Sequence, residues 1–117
     1  MEFSFNIEEK NTANIIHLSG NLIDKNHGDG LRQAVDDLLL NDSKKFIIDM
    51  KDLKYMNSTG LGVLITILTK ARKSSGEAVI CCVAQKIKEL LIMTKLNTVF
   101  ISAETIDEGI KKLNTKN

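Results

Sequence analysis

The chain of 117 residues has no proline, no tryptophan, seven glycines and two cysteines. Without proline, its turns must rely on Gly, Asn, Asp and Ser. The cysteines, Cys81 and Cys82, are adjacent. That spacing matches neither a metal-ligand spacing nor a disulfide framework. In an apolar strand it predicts two small structural hydrophobes pointing to opposite faces. Charge of one sign is lacking too: sixteen Lys/Arg against fifteen Asp/Glu leave a formal +1. This argues against direct binding to nucleic acid and against broad attraction to an anionic membrane. No apolar run approaches the ~20 residues of a membrane span. The opening Met-Glu-Phe-Ser-Phe has neither the basic start nor the apolar run of a signal peptide. A reduced, cytoplasmic protein is expected.

The hydrophobic fraction of 43% is that of a globular chain. The length suits a single domain over 1–117, with its core at about 3–114. Alternation over 3–7 and the run Ile15-Ile16-His17-Leu18 predict an antiparallel hairpin turning at residues 8–12. Residues 20–30 read as a polar loop. Leu31, Ala34, Val35, Leu38 and Leu39 then recur at helical spacing. Phe46-Ile47-Ile48-Asp49-Met50 and the apolar stretch 78–83 read as buried parallel strands. Residues 51–57 read as a loop, and a helix is expected over about 59–73, with Gly76 as its left-handed stop. Ile87, Leu90 and Leu91 mark a third helix, 99–101 a last strand, and Thr105 with Glu108 a capping box opening a fourth helix. The expected fold class is α/β: a mostly parallel mixed sheet opened by an N-terminal β-hairpin and covered by about four helices.

The string Tyr55-Met56-Asn57-Ser58-Thr59-Gly60-Leu61-Gly62-Val63-Leu64 is the most informative. Asn57, Ser58 and Thr59 are good N-cap types, and Gly60 and Gly62 weaken a helix by about 1 kcal/mol each unless close packing repays them. A helix start offers unpaired N–H groups and partial positive charge. Three readings follow: a bound phosphate or nucleotide, a phosphate carried covalently on Ser58 or Thr59, or a plain cap. No Gly-Lys-Ser/Thr follows, as a phosphate loop requires, and the Gly-x-Ser-x-Gly of a nucleophile elbow is missing. His17 reads as a half-buried structural residue and His27 as a solvated one. No catalytic residues, cofactor or metal are expected. Along the helix, apolar residues cover an arc much wider than the ~100° stripe of a surface helix. Either the helix is deeply sandwiched, or Val63 and Ile67 form an exposed, partner-binding edge beside Ser58.

Residues 52–64, together with the element order, resemble the signature of the STAS domain family, specifically the bacterial anti-sigma factor antagonists. That signature is commonly Asp-Ser-Ser-Gly or Asp-Ser-Thr-Gly followed by Leu-Gly. The resemblance implies a non-enzymatic switch protein. Unphosphorylated, it would bind an anti-sigma factor and so release the sigma factor. The anti-sigma factor, itself a serine kinase, would phosphorylate Ser58 and end binding, and a serine/threonine phosphatase would reset the switch. A non-switching adaptor or scaffold subunit of a signalling or transport assembly is the alternative. Two departures stand out: Asn57 replaces the usual Asp, and Gly20-Asn21-Leu22-Ile23-Asp24 lacks the usual acidic residues at their usual places.

Overall fold

The computed structural model describes residues 2–115; Met1 and residues 116–117, the ends of the expected domain, lie outside the described residues. The element order is β1 (Ser4–Lys10), β2 (Ala13–Leu22), α1 (Lys25–Leu40), β3 (Lys45–Met56), α2 (Ser58–Lys73), β4 (Glu77–Cys81), α3 (Gln85–Met93), β5 (Ile101–Ala103) and α4 (Ile106–Thr115). Strand order in the sheet is the order in sequence; β1 and β2 are antiparallel, and every later pair is parallel. This is the expected single α/β domain. Sequential strand order fixes the layers. Right-handed crossovers that all step in one direction put their helices on one side. Accordingly α1, α2 and α3 pack on one face over Ile16, Leu18, Phe46, Ile48 and Ile80. Through Ile110 and Leu113, α4 covers Ala13, Ile15, Ile47, Val79 and Cys81 on the other.

Four boundaries differ from the reading of the sequence. First, α1 begins six residues before Leu31, capped by Asp24, whose side chain accepts the Asn26 N–H at 2.9 Å. Gly28 lies inside it, and a Cβ there would come within 2.5 Å of the Val63 side chain. Close packing of α1 on α2 thus outweighs the poor helix propensity of glycine. Second, residues 51–56 continue β3, because β2 runs on to Leu22 and pairs with them: Ser19 with Asp52, Gly20 with Leu53, Leu22 with Met56. Register shifts after His17 and Gly20 break the two-residue alternation that marks a strand in sequence. Third, the left-handed residue closing α2 is Ser75, at φ 65°, with Gly76 N–H donating to Ala71 O at 2.8 Å. Gly76 is needed instead for space, since a Cβ there would sit 2.1 Å from Lys44 O. Fourth, the last strand starts at Ile101 rather than Val99.

The cysteines also differ from expectation. Cys82 lies beyond β4 with φ 59°, which turns its side chain back toward Cys81 rather than to the opposite face. Their sulfurs are 3.7 Å apart. His27 is not simply solvated either. Its ring stacks on Phe3 with centroids 5.6 Å apart, and its Nδ1 is buried with no hydrogen-bond partner among the described residues.

Candidate functional site

The start of α2 is built by one amide side chain. Asn57 Oδ1 accepts the Gly60 N–H at 3.0 Å, capping the helix, while its Nδ2 donates to Ile23 O at 3.2 Å. The cap therefore also ties α2 to the segment between β2 and α1. Gly60 lets this junction close: a Cβ there would stand 2.0 Å from Leu22 O. Gly62 has no such duty, because nothing lies within 4 Å of a Cβ placed on it. One of the two glycines is thus repaid by close approach and the other is not.

With the cap supplied by Asn57, the side chains of Ser58 and Thr59 are left exposed at the first turn of the helix. A groove of about 450 Å³ opens beside Ser58, lined by Lys54, Tyr55 and Met56 from β3 and by Lys86, Leu90 and Met93 from α3, among others. Tyr55 is 55% exposed and Met93 80% exposed, unusual for large apolar side chains. Lys54 and Lys86 add positive charge to that of the helix start, offset in part by Glu89 in the same groove. The result is an amphipathic patch: an exposed hydroxyl, cations and backbone N–H groups that tolerate an anion, and apolar side chains beside them.

The structure gathers Asn57, Ser58, Thr59 and Gly60 into this corner. It does not bring Val63 and Ile67 to the surface. They are 2% and 0% exposed, so they form no partner-facing edge in this chain. Of the two readings of the wide apolar arc, deep burial is the correct one. Packed against α1 on one side and lying on β3 and β4, α2 buries its whole apolar arc. Leu40 and Ile92 are exposed outside the groove beside Ser58, and within it the exposed apolar surface comes instead from Tyr55 and Met93. Their signal in the sequence was weak: Tyr55 stands among polar residues, and Met93 ends a helix with more apolar residues than one face needs.

Comparison with known proteins places this corner in context. An anti-sigma F factor antagonist of Paenibacillus polymyxa is 28% identical over 97 residues, 82% of either chain. A crystal structure from Thermotoga maritima, described as that of an anti-sigma factor antagonist, matches with TM-score 0.85 at 22% identity over 94% of both chains. The phosphorylated form of the Bacillus cell fate determinant SpoIIAA matches with TM-score 0.72 at 17% identity, covering 93% of this chain and 98% of that one. No helix among the described residues is long and apolar enough to cross a membrane. The model of the STAS domain matches residues 4–110, from the first strand into the last helix, and the chain belongs to that family.

Proposed function

We propose that this protein is an anti-sigma factor antagonist whose binding is switched off by phosphorylation of Ser58. The observation that carries the reading is the exposed Ser58 hydroxyl at a helix start that a neighbouring residue already caps, beside an exposed apolar groove. The fold does not need the Ser58 side chain, so modifying it alters the surface and leaves the core intact. The unmodified corner would seat an anti-sigma factor on Tyr55, Met93 and the flat face at Gly62. Acting as kinase, that partner would transfer the γ-phosphoryl group of ATP to Ser58 Oγ, the hydroxyl proton passing to a base of the kinase and ADP leaving. The phosphate brings about −1.5 to −2 charges, which the helix start and nearby lysines tolerate within this chain. At an interface it imposes desolvation and repulsion instead. A serine/threonine phosphatase would restore the hydroxyl. The relatives support this reading: one carries the name of an antagonist, and another has been solved in a phosphorylated form.

The test uses the anti-sigma kinase of the same organism with ATP. Intact mass is expected to rise by one phosphate, and Ser58→Ala to block the rise while retaining binding. Ser58→Asp is expected to weaken binding at least about tenfold, or ~1.4 kcal/mol. Phosphate mapping to another residue, or binding indifferent to Ser58→Asp, would overturn the mechanism.

A further inference from the structure

The sheet face opposite α1–α3 carries a second polar cluster, unconnected with Ser58. There a row of ionisable groups crosses four strands: Glu8 on β1, His17 on β2, Asp49 on β3 and Cys81 on β4. Strand register sets the row, because His17 pairs with Asp49 and Asp49 with Cys81. The left-handed turn at Cys82 adds a second thiol, whose S–H donates to Cys81 Sγ at 3.7 Å. A carboxylate oxygen of Asp49 and the two sulfurs all lie within 4.8 Å of one another. Behind them the carboxylate is held from both sides. Lys51 N–H donates to Oδ1 at 3.0 Å and His17 Nδ1 lies 2.7 Å from Oδ2, while His17 Nε2 lies 3.1 Å from Glu8 Oε1.

We propose that Cys81, Cys82 and Asp49 bind a thiophilic divalent cation of the zinc type, with His17 as the positioning residue for the Asp49 carboxylate. Zinc–sulfur bonds of about 2.3 Å in tetrahedral geometry place two sulfurs about 3.8 Å apart. The two sulfurs, 3.7 Å apart in their S–H···S contact, already stand at that separation. Two sulfur donors and one oxygen suit zinc rather than magnesium or calcium, which take oxygen alone. Three protein ligands leave a fourth position for solvent. A second shell of hydrogen bonds fixes a ligand's orientation, and His17 with Glu8 provides one. Cys82 and His17 are half-buried, so the cluster is reached from solvent. On binding, each thiol releases its proton to solvent, the S–H···S contact is replaced by two metal–sulfur bonds, and the dication supplies the charge that buried thiolates need.

The full chain, stripped of metal and reduced with a phosphine, is titrated with Co²⁺ and then with Zn²⁺. One Co²⁺ per chain is expected, with thiolate-to-cobalt charge-transfer absorption in the near ultraviolet that disappears as Zn²⁺ displaces it. Because Cys81 is a core residue, the informative variant is Cys82→Ser, outside the strand. It is expected to keep the wild-type circular dichroism and lose the charge-transfer band. His17→Gln is expected to keep the band and weaken Co²⁺ binding about 10–100-fold. Cobalt binding without a thiolate band, a band unchanged in Cys82→Ser, or no saturable binding to fully reduced wild type would each overturn the proposal.

Discussion

Asn57 shows how much one side chain can carry at the site. Its oxygen caps α2 and its amide nitrogen donates to Ile23 O. The Asp usual in the STAS signature would keep the cap and lose that donor. Replacing Asn57 by Ala removes both bonds, and a loss of about 1–2 kcal/mol is expected in urea unfolding. The two neighbouring glycines should respond in opposite directions. Gly60→Ala drives a methyl into Leu22 O and is expected to destabilise by about 1–3 kcal/mol. Gly62→Ala meets open space and is expected to stabilise by about 0.5–1 kcal/mol, by the gain in helix propensity. If the partner seats on the face that holds Ser58 and Gly62, the same Gly62→Ala change weakens binding while raising stability. A rise in both would place the partner elsewhere.

The elements show where local sequence is outvoted. Both α2 and β4 were evident from runs of apolar residues bounded by capping and turn residues. The first turns of α1 were hidden by Gly28 and Gly30: Gly28 is explained by the close approach of Val63 on α2, whereas Gly30 meets only an ordinary contact with Phe5. The last six residues of β3 were hidden by bulges in the pairing with β2, which remove the alternation on which strand recognition depends. The burial of α2 has a direct consequence. Ile67→Ala opens a cavity under a helix packed on α1 and the sheet and is expected to cost about 2–5 kcal/mol. Affinity for the partner, corrected for the fraction folded, should not change. A loss of affinity in the folded fraction would show that the seam between α1 and α2 transmits to the Ser58 corner.

At the scale of the whole molecule, the three-helix layer and the single-helix layer give the sheet two unlike faces. The Ser58 groove opens between the end of β3 and α3, and the cysteine cluster lies on the α4 side. Because Tyr55 and Met93 are exposed, Tyr55→Ala and Met93→Ser are expected to change unfolding free energy by less than about 0.5 kcal/mol. Each is expected to lower affinity for the anti-sigma factor at least about tenfold, as exposed anchors of an interface would. Calorimetric titration checks this; unchanged affinity in the double variant would remove the groove from the interface.

Much of this architecture follows from the order and spacing of residues alone. Period-two and period-3.6 patterns are local, so they reveal strands and helices, and residue type alone marks Asn57, Ser58 and Thr59 as a helix start, without any knowledge of packing. Which apolar residues remain exposed is not local. Val63 and Tyr55 are both apolar, and only the arrival of α1 on one and the absence of any cover over the other separates core from surface. The same holds for Cys81 and Cys82. Alternation places adjacent side chains on opposite faces, and it is the end of β4 and a left-handed backbone at Cys82 that bring the two sulfurs together beside Asp49.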